Sequence, residues 1–339
     1  MSQAGDFVER SKKALVTGGY GYIGSHLLWH LHHEGYELWV IDDARGSYPE
    51  QLQLPPHNLV DSDICEVESA METHISNGLR VDFMCHLAAD SSVTQCNLDP
   101  LQSYKNNILG TISAVWLAER LCVDYFVFAS TAGVYGVDGN FGPQDVLDPA
   151  SSYAKSKWIC EKIIEDWSAR SRTDITIFRF FNVAGASAEY LVGELRDYDD
   201  HLIPRLLSAL FEDGEIQVYG DDYPTYDGSC IRDYVHVDDL CEAVISSVNI
   251  KLNGYSPPKI LNVGSGTGVS VFEVVNRLQA CLGFELEVRK GERRAGDPPR
   301  LVADISKSKE VLGWRPRRDL DSIIRSSWAW RKYVNTQDS

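Results

Sequence analysis

Hydrophobic positions in the first half of the chain alternate between two patterns. Short apolar runs of strand length are separated by longer stretches in which apolar residues recur at helical spacing. This alternation is typical of a parallel sheet covered by helices on both faces. It predicts strands over residues 14–16, 37–41, 82–87, 125–129 and 175–180, and helices over residues 25–34, 104–121 and 152–168. We therefore predict an α/β fold built on a doubly wound parallel sheet.

The pattern becomes less regular after residue 184. It predicts helices over residues 202–211, 238–247, 271–282 and 320–334, and strands over residues 260–263 and 286–289. Residues 219–229 form a polar, glycine-bearing loop that is too long for a simple turn. We predict a first domain over residues 12–184 and a smaller α/β lobe over residues 185–335. The lobe is interleaved with the first domain, and some of its strands return to that domain.

Charge and composition narrow the class of partner. The chain has 49 acidic and 32 basic residues, a formal net charge of −17, which disfavours nucleic acid and anionic membranes as partners. No apolar stretch approaches the roughly 18 residues of a membrane span, and the N-terminal segment lacks the apolar core of a secretory signal. The 8 cysteines and 9 histidines lack the spacing of a metal site. We therefore expect a cytoplasmic protein with reduced thiols and no bound metal.

A glycine-rich turn follows the first predicted strand. Gly18, Gly21 and Gly24 form a G-x-x-G-x-x-G pattern between that strand and a helix. Glycines allow the tight turn and the close approach of a pyrophosphate to the helix N-terminus, where free N–H groups favour anions. Asp42 ends the next strand, where a carboxylate accepts hydrogen bonds from the adenosine ribose and repels a 2′-phosphate. The first domain is therefore predicted to be Rossmann-like and to bind NAD, although Arg45 lies close enough to weaken the preference over NADP.

Three further residues indicate proton transfer. Tyr153 and Lys157 lie four residues apart near the start of a predicted helix, hence on one face. A phenol is a poor base at neutral pH, but a neighbouring cation stabilises its phenolate. Ser130 and Thr131 end a predicted strand at the sheet edge where ligands bind. We predict Thr131, Tyr153 and Lys157 as the catalytic residues.

These motifs resemble the extended short-chain dehydrogenase/reductase family, and within it the UDP-glucose (UDP-galactose) 4-epimerases. The resemblance runs from about residue 13 to residue 333. It is carried by residues 17–26, 106–111, 126–136, 153–157, 179–182, 201–204 and 296–297, and most specifically by the segment 220–237. It implies NAD as the cofactor, a UDP-sugar as the substrate, and an NAD-binding first domain followed by a nucleotide-sugar-binding lobe.

The resemblance also implies a role for individual residues. Asp63 and Ile64 would flank the adenine, and Asn106 or Asn107 would lie near the nicotinamide half of the cofactor. The complete set of implied cofactor-binding residues is Gly18, Gly21, Tyr22, Ile23, Gly24, Asp42, Asp63, Ile64, Leu87, Ala88, Ala89, Asn106, Ser130, Tyr153, Lys157 and Phe180. The implied substrate-binding residues are Thr131, Asn182, His201, Leu202, Tyr219, Arg232, Arg294, Asp297 and Leu301.

Within that substrate set, Arg232 and Arg294 would hold the diphosphate, since a guanidinium offers a planar fork of donors to phosphate. Asn182 would bind the nucleotide-sugar. Asp297 would lie near the uridine ribose and Tyr219 against the uracil.

Four positions depart from the pattern of the family. Ser91 stands where many relatives have a lysine, so one cofactor contact is missing or is supplied elsewhere. Ala129 removes one hydroxyl from the strand end, and Phe180 replaces a tyrosine. Leu301 occupies a position that gates bulk at the sugar's 2-substituent, and it is intermediate in size.

The resemblance implies hydride transfer from carbon 4 of the sugar to NAD⁺ and its return to the opposite face of a 4-keto sugar. Epimerases of UDP-pentoses, UDP-uronates or UDP-N-acetylhexosamines share this chemistry and remain alternatives. A nucleotide-sugar 4,6-dehydratase is disfavoured because Ala132 and Gly133, which follow the active-site threonine, cannot transfer protons. A non-catalytic NAD-binding sensor is disfavoured because Tyr153 and Lys157 are both present.

The resemblance implies a homodimer joined through the two long helices of the first domain, over residues 104–121 and 152–168. Apolar residues on these helices could form the contact or could face the sheet; they are Ile112, Val115, Trp116, Trp158 and Ile159.

Overall fold

The computed structural model describes residues 11–136, 139–187, 189, 191–195, 201–211, 214–294 and 297–337. Over these residues the chain forms fourteen strands and eleven α-helices. The strands are β1 Lys13–Thr17, β2 Glu37–Asp42, β3 Asn58–Asp61, β4 Phe83–His86, β5 Tyr125–Thr131, β6 Gly139–Phe141, β7 Asp174–Phe180, β8 Asn182–Ala184, β9 Glu215–Tyr219, β10 Ile231–His236, β11 Ile260–Val263, β12 Gly268–Ser270, β13 Glu287–Gly291 and β14 Arg300–Ala303. The α-helices are α1 Tyr22–His33, α2 Val67–Ser76, α3 Val93–Leu98, α4 Pro100–Tyr104, α5 Gly110–Arg120, α6 Ser152–Ser168, α7 Leu202–Ala209, α8 Val237–Leu252, α9 Val271–Leu282, α10 Ser306–Leu312 and α11 Leu320–Gln337.

The largest sheet has seven parallel strands in the order β3-β2-β1-β4-β5-β7-β11. The chain builds outwards from β1 to β3 and then returns to add β4 on the other side of β1. The carboxyl ends of β1 and β4 therefore flank the point at which the strand order reverses, which is where ligands bind in open α/β sheets. The predicted doubly wound α/β fold is confirmed.

Helices cover both faces of this sheet. On one face Leu28 of α1 and Val244 of α8 belong to the same buried cluster as Val16 of β1. On the other face Leu117 of α5 and Ile164 of α6 are buried in a second cluster. Because both faces are covered, the central strands are apolar on both sides, which explains their uninterrupted hydrophobic runs.

Two smaller sheets are built mainly from the second half of the chain, joined by β6 and β8 from before residue 185. Strands β12, β10, β14 and β6 pair in that order, β8 pairs with β10, and β13 pairs with β9. A separate buried cluster joins α7, α9 and α11 to these strands, with Leu206, Val274 and Ile323 at its centre. Strand β11 nevertheless lies at the edge of the seven-stranded sheet.

The predicted helix over residues 104–121 differs from the observed one in two respects. Helical structure begins earlier, at Pro100, because the Asp99 carboxylate accepts a hydrogen bond from Gln102 N (3.1 Å) and proline suits the first helical position. One turn, Lys105–Leu109, is π-helical. As a result Asn107 is buried (2% exposed), whereas Asn106 lines the cleft described below.

In the part of the chain that the structure describes, no helix is both long and apolar enough to cross a membrane. The same residues contain no group of three or more His, Cys, Asp or Glu side chains placed to hold a metal ion.

Candidate active site

A cleft of about 950 Å³ lies along the carboxyl ends of β1, β4, β5 and β7 and extends to the smaller sheets. Every residue that the sequence predicts to bind cofactor or substrate, or to act in catalysis, lines this cleft. Residues far apart in sequence, such as Gly18 and Leu301, therefore share one cavity. Their individual roles stay predictions.

The glycine turn is packed too closely for side chains. A Cβ atom at Gly24 would lie 2.1 Å from the Gly18 carbonyl oxygen, and one at Gly18 would lie 2.7 Å from Ala88 N. Gly18 also has φ +71°, a conformation that favours glycine. Gly21 precedes α1, and no side chain caps this helix end. The turn is therefore a cradle whose helix N-terminus is suited to a phosphate group.

Asp42 and Asp63 lie at the end of the cleft that the sequence assigns to adenosine. Both oxygens of Asp42 accept backbone hydrogen bonds, from Tyr20 N (2.9 Å) and Ala44 N (2.8 Å), which fix the carboxylate at the end of β2. Burial raises the pKa of Asp42. Asp63 accepts a hydrogen bond from Cys65 N (2.8 Å) at the start of a 3₁₀ turn.

Tyr153 lies in the first turn of α6, which begins where the Ser151 hydroxyl accepts a hydrogen bond from Ala154 N (3.1 Å). Lys157 lies one turn later and is only 3% exposed. Its ammonium donates a hydrogen bond to the Ala129 carbonyl oxygen (2.9 Å) and lies 4.7 Å from the centre of the Phe128 ring. Burial lowers the pKa of Lys157 to about 8, so this ammonium is held at the sheet edge at an energetic cost.

Thr131 ends β5 beside this pair of residues. Its hydroxyl oxygen accepts a hydrogen bond from Gly133 N (3.1 Å). A Cβ at Gly133 would lie 3.2 Å from the Ala154 Cβ, so the turn after Thr131 packs closely on α6. Thr131, Tyr153 and Lys157 thus line one part of the cleft.

A buried ion pair, which sequence reasoning missed, joins the elements that carry these residues. Glu161 of α6 and Arg179 of β7 are 0% and 2% exposed. The Arg179 guanidinium donates to both carboxylate oxygens of Glu161, at 3.0 and 2.7 Å, and Ser130 of β5 donates to the same carboxylate at 2.5 Å. The sequence did contain one indication of this ion pair, since Glu161 lies one turn after Lys157 and therefore on the same face of the helix.

Three arginines line the opposite part of the cleft. Arg232 donates to Asp297 Oδ1 at 2.7 Å. The guanidinium carbons of Arg294 and Arg205 lie 4.3 and 5.6 Å from the centre of the Tyr219 ring. Arg205 is the cation that sequence reasoning did not select. The cleft therefore offers guanidinium groups to an anion although the whole protein is acidic.

A phosphate cradle at the switch point of a doubly wound sheet, with a tyrosine and a buried lysine at the same edge, defines a dinucleotide-binding enzyme. Comparison with known proteins gives the family: the model of the NAD dependent epimerase/dehydratase family matches residues 14–264. The chain belongs to this family.

Individual relatives agree over nearly the whole chain. The chain is 34% identical to a UDP-glucose 4-epimerase of Rhizobium meliloti, over 96% of this chain and 99% of the relative. A crystal structure of a UDP-glucose-4-epimerase from Stenotrophomonas maltophila, with bound NAD and formylated UDP-arabinopyranose, is similar with a TM-score of 0.88 and 30% identity, over 96% of this chain and 99% of the other. The enzyme from Bifidobacterium longum in complex with NAD⁺ and UDP also has a TM-score of 0.88, with 29% identity, over 95% and 98% of the two chains.

Proposed function

We propose that this protein interconverts the 4-epimers of a UDP-sugar with NAD as its cofactor, and that UDP-glucose and UDP-galactose are its substrates. The observation that carries this proposal is the cleft itself. It holds a phosphate cradle, the residues Thr131, Tyr153 and Lys157, and a group of arginines within one cavity. A nucleotide-sugar whose diphosphate lies at the arginines can extend its sugar towards the tyrosine.

The residues present fit NAD. Gly18 and Gly24 have no room for a Cβ atom, so the turn between β1 and α1 is as tight as a dinucleotide-binding turn requires, and its helix N-terminus lines the cleft where a pyrophosphate would lie. Asp42 supplies a fixed carboxylate for the adenosine ribose. When bound, NAD supplies the hydride acceptor and donor for carbon 4 of the sugar.

The chain's own residues handle the proton. Tyr153 as phenolate would take the proton of the sugar's 4-hydroxyl and would return it to the same oxygen in the 4-epimer. Lys157 stabilises the phenolate because its ammonium lies one helical turn away. The Thr131 hydroxyl hydrogen-bonds the 4-hydroxyl of the sugar and so orients that sugar hydroxyl towards Tyr153.

The substrate-binding part of the proposal rests on charge and shape. Arg232 and Arg294 hold the diphosphate, Tyr219 lies against the uracil and Asp297 near the uridine ribose. Leu301, intermediate in size, lines the sugar's part of the cleft. UDP-pentose, UDP-uronate and UDP-N-acetylhexosamine stay alternative substrates, whereas a 4,6-dehydratase lacks its acid and base because Ala132 and Gly133 follow Thr131.

Tyr153→Phe tests the catalytic assignment. The variant is expected to lose about 10²–10⁴-fold in turnover of UDP-glucose, followed by NMR of the 4-epimer, because it has no general base. It keeps its affinity for UDP in calorimetry. Full activity in this variant contradicts the assignment.

Parallel incubations of the unchanged enzyme with UDP-glucose, UDP-xylose, UDP-glucuronate and UDP-N-acetylglucosamine identify the preferred sugar.

We further propose a homodimer formed through α4, α5 and α6. Leu101 is 79% exposed, and Ile112 and Trp158 are 46% and 36% exposed, on these neighbouring helices. Val115, by contrast, packs into the core against the sheet. An apolar surface of this kind suits a second copy of the chain. Leu101→Glu is expected to give a monomer in analytical ultracentrifugation, and an unchanged sedimentation coefficient contradicts the proposed interface.

The same proposal includes the division of the chain into two lobes and its cytoplasmic location. Residues 12–184 form the NAD-binding domain and residues 185–335 the nucleotide-sugar lobe, and the interleaving is supported by β11, which comes from the second segment and pairs with β7. A cytoplasmic location is supported by the cysteines, all of which are free in the described residues.

A further inference from the structure

A guanidinium bridges two carboxylates at the adenosine end of the cleft. Arg45 Nε lies 2.5 Å from Asp43 Oδ2, and Arg45 Nη2 lies 2.7 Å from Asp63 Oδ2. All three residues line the cleft together with Asp42. Asp43 and Arg45 lie in the loop after β2 and Asp63 follows β3, so the ion pairs connect the two loops that flank the proposed ribose site.

The local charge at this end of the cleft is negative. Four carboxylates line this end, those of Asp42, Asp43, Asp63 and Asp90, and they outnumber the guanidinium of Arg45. Both oxygens of Asp42 accept backbone hydrogen bonds, which hold this carboxylate in place. An arginine beside the adenosine ribose is the group that accommodates a 2′-phosphate, and its planar fork suits phosphate and carboxylate equally well. Here two carboxylates already accept from the Nε and Nη2 donors of that fork.

We propose that Arg45 is a latent binding residue for a ribose 2′-phosphate, and that Asp43 and Asp63 determine the choice of NAD over NADP by occupying it. Asp42 repels the phosphate directly, whereas Asp43 and Asp63 act by withholding the arginine. Removing both carboxylates makes the local formal charge about two units less negative and frees the donors of Arg45. The inference rests on the proposed cofactor site and is independent of which sugar reacts.

The double variant Asp43→Asn/Asp63→Asn tests this inference with little disturbance of the backbone. Asparagine keeps a side-chain oxygen, so it can still accept from Arg45 N (3.1 Å) and from Cys65 N (2.8 Å). The triple variant, which adds Arg45→Gln, removes the guanidinium from the same background. Glu215→Gln is the matched control, because it breaks an exposed arginine–carboxylate pair in the other part of the chain.

The measurement is competitive loading of the purified enzyme. Each protein is incubated with equal excesses of NAD and NADP until labelled NAD has exchanged, then gel-filtered and acid-treated. The two released nucleotides are quantified by mass spectrometry, and each variant's melting temperature is recorded so that only folded protein is compared. If the double variant is unstable, the two single variants take its place.

The ratio of NADP to NAD is expected to rise at least tenfold in the double variant and to return to within threefold of the unchanged enzyme in the triple variant. The control keeps the original ratio. An unchanged ratio in the double variant, or a rise that persists without Arg45, overturns the inference. Failure of the unchanged enzyme to retain either nucleotide refutes the proposed cofactor site instead, so the two failures are distinguishable.

Discussion

Replacing Glu161 by glutamine is expected to destabilise the protein far more than an ordinary surface change. The Glu161 carboxylate accepts two hydrogen bonds from Arg179 and one from Ser130, and neither member of the ion pair is more than 2% exposed. Burial alone would lower the pKa of Arg179, but the Glu161 carboxylate raises it overall. Glutamine leaves a buried guanidinium without a counter-charge, which costs about 3–5 kcal/mol.

The same helix supplies a matched control one turn further on. Glu165 pairs with Lys162 at 2.8 Å, and both side chains are partly exposed. Glu165→Gln is therefore expected to cost at most about 1 kcal/mol. Urea unfolding followed by circular dichroism gives both free energies of unfolding under the same conditions.

The Glu161→Gln substitution is also expected to lower catalytic activity, because the ion pair joins α6 to β5 and β7. A shift of α6 moves Tyr153 and Lys157 relative to Thr131, so kcat of Glu161→Gln is expected to fall more than KM rises. The double variant Glu161→Leu/Arg179→Leu should regain most of the stability, since it leaves no unpaired charge. Equal stability of the Glu161→Gln and Glu165→Gln variants refutes this reasoning.

Three further variants test other parts of the site. Burial lowers the pKa of Lys157 to about 8, so between pH 8 and about 10.5 the folded protein binds fewer protons than the unfolded chain. The free energy of unfolding should therefore rise with pH over that window, by up to about 3 kcal/mol relative to the Lys157→Met variant. Urea unfolding of both proteins at each pH measures this difference. Gly24→Ala places a Cβ 2.1 Å from the Gly18 oxygen, so it is expected to cost about 1–3 kcal/mol and to yield enzyme with less bound NAD by absorbance. Thr131→Val should lower kcat about 100-fold with KM little changed, and wild-type kcat in this variant would exclude a role for the hydroxyl.

Structural features that depend only on residues close together in sequence could be predicted from the sequence. Buried strands such as β5 show their apolar runs directly, and the helix Ser152–Ser168 shows its period and has the bounds that the sequence predicts. Strand β3 was missed because it lies at the sheet edge and three of its four residues are exposed. Strands β8 and β12 are three residues long and form only by pairing with β10, so their own sequence holds too little signal.

The same distinction applies to the site. The glycine turn and the Tyr153–Lys157 spacing are local motifs, and a sequence can display them. The ion pair between Glu161 and Arg179 joins residues 18 positions apart, and the bridge from Arg45 to Asp63 also spans 18 positions. Both depend on which strands become neighbours, and a single sequence does not state this.

Charge at the substrate end shows why an acidic protein can bind a UDP-sugar. Arg293 is paired with Asp222 at 2.7 Å and is not among the residues that line the cleft. Arg294 and Arg205 instead lie against the Tyr219 ring, and among the described residues no carboxylate pairs with either of them. An aromatic ring orients a guanidinium without neutralising its charge. Arg294 and Arg205 therefore keep their positive charge within the cleft, and a net charge of −17 does not prevent local binding of an anion.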